Sequence, residues 1–452
     1  MDLDRATALE HASNIVLRAW REFDAARDVE PSLSAELLEA LREPMPELGS
    51  DVVDVLDQAA SVLDQSLAQS RPRYFAYVGS SGLEIGAIAD LLAHSYDPNL
   101  ALDAGAATLV ETQTLRWVGQ FIGYPVQSGA FTSGGTVSNL TALAAARERA
   151  APGSRKTGVP AGATLYCSVD AHYSVTRSAE LLGIGSANVR AIAVDEHRRM
   201  RPTELAVALD TDRAAGRLPV AVVATAGTTL TGAVDPLSEI ARVCQARSVW
   251  LHVDGAYGAP AASVVPEVFA GLEWADSVTV DAHKWLFVPK ACGIVMVRDE
   301  ETLSAAFGHT TNYIPGDRNA VDTTLEYSRP LRALKLWLAF RVHGATTLRT
   351  WIERTMRHAQ LIHALAAELP RWEVGPGPEL SIALIRRTDV DNAQLVQCLQ
   401  EDGRVYVSHA IVDGETWLRP CFTNPRSTTE DVRALMSVAE EVADSLPSRG
   451  SR

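Results

Sequence analysis

The sequence lacks the features of a disulfide-stabilised, zinc-binding or membrane-spanning protein. Its five cysteines are odd in number and far apart, and no two form a CxxC pair. A disulfide framework or a structural zinc is therefore not expected, and the thiols are typical of a reduced intracellular protein. No apolar run approaches the roughly 18 residues that a membrane-spanning helix needs.

Positive charge is also scarce. The chain has 41 lysines and arginines against 56 aspartates and glutamates, a formal net charge of −15. No long basic run offsets this excess, so we expect no general attraction for nucleic acid or anionic membrane. The opening stretch, MDLDRATALEHASNIV, is acidic and mixed, unlike a secretory signal peptide. These absences predict a cytoplasmic protein.

The spacing of apolar residues predicts three regions in the chain. Residues 1–75 have apolar positions at three- and four-residue spacing, which predicts an N-terminal helical segment. Residues 76–345 form a predicted large domain, in which strands alternate with helices from about residue 130. Residues 346–452 follow as a smaller α+β domain. A long helical stretch begins near residue 330, before this boundary, and ends at Pro370 within the smaller domain.

Short β-branched runs predict the strands of the large domain. These runs are Ala163–Ser168, Val189–Val194, Val220–Thr225, Val249–Asp254, Ser277–Val280 and Gly293–Val297. Helical stretches between them, such as Ser174–Leu182 and Pro236–Arg247, indicate a parallel sheet covered on both faces. Ligands bind such sheets at the carboxyl ends of the strands, so we expect the chemistry just after these runs.

In the last region, the segments Ile382–Ile385 and Arg404–Val407 predict strands, and a final helix is expected from Thr429. Strands and helices are here segregated rather than alternating. This pattern favours a small α+β unit.

Three polar segments follow predicted strands. In FTSGGTVSNL, Gly135 and Thr136 come just before a helical run, where free backbone N–H groups would bind an anion. His172 follows one strand, and Thr229 lies in the turn after another. Each has an ordinary structural interpretation as well: a plain turn, a hydrogen-bonded histidine and a polar loop.

Two charged residues at strand ends are harder to explain structurally. Asp254 ends the very apolar run VWLHVD, and a carboxylate there needs a cationic or hydrogen-bonding partner. A metal shared with His252 is conceivable, but no third ligand is evident. Lys284 follows Val278–Val280 and precedes another apolar run, so it either reaches water or performs chemistry.

The combination of these groups indicates pyridoxal 5′-phosphate (PLP). Its phosphate needs a helix N-terminus, and its ring needs a flat neighbour to stack on. Its pyridine nitrogen needs a carboxylate that keeps it protonated, and its aldehyde needs a lysine for the Schiff base. The segments around Gly135, His172, Asp254 and Lys284 offer these four groups at the ends of strands in one sheet.

Longer motifs make the sequence similar to a known family. The motifs are FTSGGTVSNLTAL, DAHYSV, HVDGAYG, DAHKWL and LRALKLWLAFRVHG. In order and spacing they resemble the group II PLP-dependent amino acid decarboxylases, which include aromatic-L-amino-acid, tyrosine, glutamate and diaminobutyrate decarboxylases. The similarity extends from about residue 71 to residue 432.

The resemblance implies an α/β fold of the fold-type-I, aspartate-aminotransferase-like class. The large domain would contain a mainly parallel seven-stranded sheet and would be followed by a small α+β C-terminal domain. The protein would be a homodimer with both active sites at the interface, and the N-terminal helical segment would wrap the partner. The substrate would be an amino acid, with no nucleic acid, membrane or metal involved.

The resemblance also assigns roles residue by residue. Lys284 would form the Schiff base with PLP, and His172 would stack on its ring; these two are the catalytic residues. Asp254 would pair with the pyridine nitrogen, and Ala256 would pack beneath the ring.

The remaining assignments concern the cofactor's phosphate and surroundings. Gly135 and Thr136 would hold the phosphate, with His283 in the same shell, and Thr229 would lie near the ring face. Asp281 stands where other members often place a phosphate-contacting Asn or Ser, and an acidic side chain is unfavourable there. It could instead accept hydrogen bonds from backbone amides.

The implied reaction converts an L-amino acid to its primary amine and CO₂. One departure bears on this outcome: counting back from Arg332 without gaps places Ala320 where aromatic decarboxylases carry a proton-donating loop tyrosine. Tyr327 is close in sequence, and Tyr313 resembles a different, structural tyrosine. An alternative outcome is therefore oxidative deamination to an aldehyde, as in family members that lack that tyrosine.

Other interpretations remain open from the sequence. A non-catalytic family member would have no need of Lys284, and a cysteine desulfurase would need a mobile thiol, whereas Cys292 begins an apolar strand. Arg419 could meet a substrate carboxylate or pair within the small domain. The segment NLALDAGAAT, from Asn99, has small and aliphatic side chains where aromatic decarboxylases carry larger rings, which favours a smaller or aliphatic substrate.

Overall fold

The computed structural model describes residues 4–24, 33–79, 81–308 and 320–448. The helices are α1 Arg5–Phe23, α2 Ala35–Ala40, α3 Val52–Asp64, α4 Glu84–Tyr96, α5 Ala106–Ile122, α6 Gly135–Ala150, α7 Ser154–Thr157, α8 Ser174–Leu181, α9 Pro202–Ala214, α10 Leu237–Ala246, α11 Ala282–Trp285, α12 Glu301–Phe307, α13 Ala333–Ala367, α14 Asn392–Asp402 and α15 Thr429–Ser445. The strands are β1 Tyr74–Phe75, β2 Ser128–Thr132, β3 Ala163–Ser168, β4 Val189–Ile192, β5 Leu218–Thr225, β6 Trp250–Asp254, β7 Ser277–Asp281, β8 Gly293–Val297, β9 Trp372–Val374, β10 Ile385–Arg387, β11 Tyr406–Val412 and β12 Glu415–Arg419.

Seven strands form the central sheet in the order β2-β8-β7-β6-β5-β3-β4. Strand β8 is antiparallel to both of its neighbours, and the other adjacent pairs are parallel. Every residue of β3, β6, β7 and β8 is buried. Continuous apolar strands of this kind are typical of a parallel sheet covered on both sides.

Alternate residues of the strands pack on opposite faces of this sheet. Leu165 and Val223 lie in one apolar cluster with side chains of α6 and α8. Tyr166 and Val222 lie in another cluster, with side chains of α5, α9 and α10. The sheet is therefore the middle layer of a three-layer structure, and its strand ends are left free to carry polar residues.

A second sheet has five strands in the order β1-β11-β12-β10-β9. Its outermost strand, β1, comes from early in the chain and pairs in parallel with β11, with Tyr74 opposite Tyr406 and Phe75 opposite Val407. The remaining pairs are antiparallel. Side chains from the last turns of α13 and from α14 and α15 cover one face and form a separate apolar core.

The long helical stretch after residue 330 is interrupted at one residue. Gly344 has φ 76° and ψ 156°, a backbone region that is essentially restricted to glycine. Helix α13 therefore consists of two helical segments that meet at Gly344, where the sequence predicted one continuous stretch. Apolar periodicity continues through the glycine, so it gave no signal of the break.

The α/β class and the mainly parallel seven-stranded sheet are confirmed. The predicted strands of the large domain are present with bounds shifted by at most two residues. In the small sheet the differences are larger: Ile382 forms an isolated bridge with Cys421, and the strand there is Ile385–Arg387. Strands β1, β2, β9 and β12 were not predicted.

Helices α1, α2 and α3 match the helical character predicted for the start of the chain. Helix α1 packs along α3 through a hydrogen bond between His11 and Asp57 at 2.7 Å and an ion pair between Arg18 and Asp64 at 2.9 Å, and it buries none of its own residues. The proposed division into three regions stays a prediction. In the part of the chain that the structure describes, no helix has the length and apolarity to cross a bilayer.

Candidate active site

A cavity of about 340 Å³ opens at the carboxyl ends of the central strands. All nine residues predicted for the site line it: Gly135, Thr136, His172, Thr229, Asp254, Ala256, Asp281, His283 and Lys284. The fold brings them together because Asp254 ends β6, Asp281 ends β7, and the other segments follow neighbouring strands. The structure thus places the predicted residues around one cavity, and their roles stay a prediction.

A larger cavity, of about 570 Å³, lies at the opposite edge of the sheet. It is lined by the starts of β5 and β6 and by four arginines, Arg149, Arg213, Arg217 and Arg298. None of the predicted site residues lines it. The smaller cavity is the candidate site because it combines an amine, carboxylates and imidazoles.

Lys284 and Asp281 form an ion pair inside the cavity. The Lys284 Nζ lies 3.0 Å from Asp281 Oδ2, one helical turn away, and the Asp281 side chain is 2% exposed. Burial lowers the pKa of Lys284, but the negative charges of Asp281 and Asp254 outweigh that effect, so the pKa lies above its ordinary value. The suggestion that Asp281 bonds to backbone amides is not what the structure shows: its Oδ1 is buried without a hydrogen-bond partner among the described residues.

Asp254 is held by hydrogen bonds. Asn139 Nδ2, on α6, donates to Asp254 Oδ2 at 2.8 Å and to Ser174 Oγ at 2.9 Å. The backbone N–H of Ala256 donates to the other oxygen, Asp254 Oδ1, at 3.2 Å. These bonds fix the position of the Asp254 carboxylate, which lines the cavity.

His252 orients Asn139 from behind. The His252 Nε2–H donates to Asn139 Oδ1 at 3.0 Å, while Nδ1 lies 2.8 Å from Ser277 Oγ. Ser277 Oγ also accepts from Trp250 Nε1 at 2.9 Å, so its own proton is free to be donated to His252 Nδ1. Burial lowers the pKa of His252 to about 4, which keeps the ring neutral and this donor pattern intact.

The same network includes His252 and Asp254, the two residues considered above as metal ligands. Both histidine nitrogens are engaged by neutral hydrogen-bonding groups. Among residues 4–24, 33–79, 81–308 and 320–448, no group of three His, Cys, Asp or Glu side chains is arranged to hold a metal ion.

An anion cradle lies at the start of α6. Gly135 and Thr136 are its first residues, and backbone N–H groups there have no intrahelical acceptor. A Cβ at Gly135 would lie 2.8 Å from Asp281 Oδ2 and 3.1 Å from the Ala256 Cβ, so only glycine leaves room at this point. Cys292 N donates to His283 Nδ1 at 3.1 Å, which leaves the His283 Nε2–H to face the cradle, and burial lowers the pKa of this histidine.

His172 and Thr229 complete the wall of the cavity. The His172 Nδ1 accepts from Ser174 N at 3.3 Å, and burial lowers the pKa of the ring. The Thr229 carbonyl accepts from Arg419 Nη1 at 2.7 Å, while Arg419 Nη2 donates to Ser408 Oγ at 2.9 Å. Arg419 therefore pairs within the small domain, as one interpretation expected, and it also connects the small sheet to the loop that bears Thr229.

Sequence reasoning missed the residues that hold the site from behind. Asn139 and Ser174 line the cavity, and Ser277 supports them. Asn139 lies within the first turns of α6, where a polar residue has many uses, so its type carried no signal. The alternation of His252 and Asp254 along β6 was the one hint that the two side chains share a direction.

The cavity fits PLP. It presents an amine, a hydrogen-bonded carboxylate, a flat neutral ring and a glycine-formed cradle at a helix N-terminus. Thr225 Oγ1 and Asp281 Oδ1 are buried there without a partner among the described residues, as expected of polar atoms that face a polar ligand.

Comparison with known proteins establishes the family. The pyridoxal-dependent decarboxylase conserved domain matches residues 35–385. Because the match covers more than half of the chain, the chain belongs to the family of PLP-dependent decarboxylases. It is a PLP-dependent lyase of fold type I, and the resemblance drawn from the motifs is confirmed.

Particular relatives differ in substrate. The chain is 33% identical to the aromatic-L-amino-acid decarboxylase of Bacillus atrophaeus, covering 93% of each chain. It is also 33% identical to the L-2,4-diaminobutyrate decarboxylase of Rhizobium meliloti (strain 1021), covering 91% of this chain and 86% of the relative. The crystal structure of Oryza sativa TDC with PLP and tryptamine superimposes with a TM-score of 0.91 at 25% identity, covering 98% of each chain.

Proposed function

We propose that this enzyme removes the α-carboxyl group of an L-amino acid as CO₂ and releases the primary amine, with Lys284 as the attachment point of the cofactor. The observation that carries the proposal is the meeting of Lys284, Asp254, His172 and the cradle at Gly135 in one cavity. PLP supplies an electron sink for the bond that breaks.

Different residues of the cavity would hold different parts of the cofactor. Gly135 and Thr136 would hold the phosphate with backbone N–H groups and a hydroxyl, aided by the His283 Nε2–H. Asp254, fixed by Asn139, would keep the pyridine nitrogen protonated. Neutral His172 would stack on the ring and Ala256 would pack against the other side, with Thr229 at the edge.

Arg419 is better explained as a structural residue than as a substrate ligand. Its guanidinium is buried and donates to the Thr229 carbonyl and the Ser408 hydroxyl. Tight binding of the leaving carboxylate would also stabilise the ground state and add nothing to the rate. Its position ties the small sheet to the wall of the cavity.

A homodimer with shared active sites is part of the proposal. Apolar side chains are exposed on α1, α3, α4 and α5: Leu9, Leu17, Val55, Leu63, Ile88, Leu91, Leu92, Tyr96 and Leu109. An exposed set of this size favours coverage by a partner. The N-terminal helical segment, residues 1–75, would wrap that partner, and the five unpaired cysteines favour a reducing, cytoplasmic compartment.

A second outcome of the same chemistry stays open. Ala320, the residue aligned with the loop tyrosine, begins a short 3₁₀ turn, Ala320–Thr323, and Tyr327 is not among the described residues that line the cavity. Tyr313 and the start of this loop lie outside the described residues. Without a phenol at the reacting carbon, O₂ and water would convert the amino acid to an aldehyde, CO₂, ammonia and H₂O₂.

The substrate is proposed to be small or aliphatic. Within this chain, Leu100 and Ala101 are buried, and no residue of the segment 99–106 lines the cavity. In a dimer with shared sites, the exposed part of that segment, from Leu102, would reach the partner's cavity. Its small side chains favour an aliphatic substrate such as diaminobutyrate over a large ring.

One experiment tests the function and separates its two outcomes. The purified protein is loaded with PLP, reduced with borohydride and digested, and the pyridoxyl mass is expected on Lys284. Amino acids are then supplied with and without O₂, and CO₂, amine, aldehyde and H₂O₂ are measured. Amine without O₂ consumption supports decarboxylation, equimolar aldehyde and H₂O₂ supports the alternative, and no label on Lys284 overturns both.

A further inference from the structure

Asp281 has one strong partner in the cavity. It is the last residue of β7, its side chain is 2% exposed, and its Oδ2 lies 3.0 Å from the Lys284 Nζ. His283 Nε2 is farther, at 3.7 Å. Since Asp281 Oδ1 has no hydrogen-bond partner among the described residues, the carboxylate depends on Lys284 for its stabilisation.

The same dependence holds in reverse for the lysine. A buried amine favours the neutral form, and a carboxylate within 4 Å favours the ammonium. Here the carboxylates prevail, since the pKa of Lys284 is raised despite burial. The titratable groups that face the pair from the surrounding elements are His172 after β3, Asp254 on β6, His283 on α11, Lys290 and Cys292 before β8, and Cys421 after β12.

Attachment of the cofactor requires the neutral amine. The ammonium must release a proton to water before its lone pair attacks the aldehyde carbon. A C=N bond then forms at Nζ, and the aldehyde oxygen leaves as water. A group that stabilises the ammonium therefore slows this step at any pH below the lysine's pKa.

We propose that Asp281 is a positioning residue that holds Lys284 as an ammonium in the cofactor-free cavity, and so makes covalent capture of the cofactor slow at neutral pH and faster as pH rises. The inference rests on the proposed function, because it takes Lys284 to be the attachment point. It assigns to Asp281 a role toward the lysine in place of the phosphate contact expected from the resemblance.

The test uses 5-deoxypyridoxal, an aldehyde without the phosphate. Because Asp281 also borders the cradle at Gly135, this probe isolates the effect on the lysine from repulsion of a phosphate. The rate constant for attachment to cofactor-free protein is measured by absorbance from pH 6.5 to 9.5, and the site is confirmed by reduction and mass. Each rate is divided by the rate constant of the neutral amine of free Nα-acetyl-lysine with the same probe at that pH, which corrects for titration of the probe without removing the titration of Lys284.

For Asp281→Asn we expect attachment at least tenfold faster than wild type at pH 7.5, with a plateau at lower pH. Asp276→Asn is the matched control: its carboxylate is also partly buried and accepts from Leu251 N, but it lies at the opposite edge of the sheet. That variant should attach the probe within twofold of wild type. Equal rates for wild type and Asp281→Asn would overturn the inference.

Wild type alone provides a second readout if Asp281→Asn does not fold. Its attachment rate relative to the neutral amine of Nα-acetyl-lysine should be depressed and still rising at pH 9.5, whereas a plateau below pH 8.5 would overturn the role of Asp281 while leaving the proposed function intact. No attachment to Lys284 at any pH, by this probe or by PLP, would overturn the proposed function and the inference together.

Discussion

At the scale of single residues, the position of Asp254 depends on a chain of hydrogen bonds that begins outside the cavity. Trp250, Ser277, His252 and Asn139 form one chain of hydrogen bonds that ends at its carboxylate. Buried polar networks of this kind stabilise a protein when every member is satisfied and destabilise it when one is removed. The network makes two measurable predictions.

Asn139→Ala should weaken cofactor binding. It leaves Asp254 Oδ2 without its side-chain donor and His252 Nε2 without its acceptor, which costs about 2 kcal/mol of unfolding free energy. We expect about tenfold weaker PLP binding by absorbance titration, equivalent to about 1.4 kcal/mol. Asn392→Ala is the control, since Asn392 is equally buried but bonds to the Arg387 backbone in the small sheet. A comparable loss of PLP affinity in that variant would contradict the local explanation.

His252 should make the network sensitive to acid. Burial lowers its folded pKa to about 4 from an ordinary value of about 6.5, so its contribution is present above pH 6.5 and is lost as pH falls toward 4. The stability advantage of wild type over His252→Gln should therefore shrink by about 2 kcal/mol between pH 7 and pH 5. Urea unfolding at both pH values measures it, and an advantage independent of pH would argue that His252 titrates normally.

The functional residue types at the strand ends could be predicted from the sequence, whereas the contacts that hold these residues in place could not. Lys284 and Asp254 stand out because a charge in an apolar run requires a reason. Asn139 does not, since a polar residue near the start of a helix is ordinary and its partner His252 lies 113 positions later in the chain. The pairing of Asp281 with Lys284 depends on how α11 turns, which residue type alone does not determine.

At the scale of elements, six of the seven strands of the central sheet were predicted, because every residue of most of them is buried, whereas the edge strand β2 was missed. A continuous apolar run between polar turns marks such a strand directly. The small sheet was harder to read, since its strands are short and one face is covered. Strand β1 has two residues and is defined as a strand only by its pairing with β11.

The break in α13 leads to a prediction about Gly344. With φ 76° and ψ 156°, any other residue there is strained by about 1–3 kcal/mol, and no atom within 4 Å would contact a new Cβ. Gly344→Ala should thus lower the unfolding free energy by that amount. Gly377→Ala is the matched control, because it also has open space and no positive φ, and it should change stability by less than about 1 kcal/mol. Equal effects in thermal unfolding would show that the break is not strained.

At the scale of the whole molecule, the exposed apolar side chains of α4 and α5 form part of the proposed dimer interface. Leu91 is 54% and Leu109 is 70% exposed. The double substitution Leu91→Asp and Leu109→Asp should convert the proposed dimer to single chains in sedimentation at micromolar concentration, because each charge would be buried in the proposed interface. Val207→Asp, at a side chain 63% exposed on α9, should leave the two-chain mass unchanged. A double variant that stays paired would place the interface elsewhere.

The pairing of β1 with β11 has a consequence for how the chain is made. Synthesis delivers Tyr74 and Phe75 long before their partner strand, which begins at Tyr406. The central sheet, whose strands lie between Ser128 and Val297, is complete long before that. We therefore expect the large sheet to form first on the ribosome, and a nascent chain stopped before residue 406 would lack the partner strand of β1.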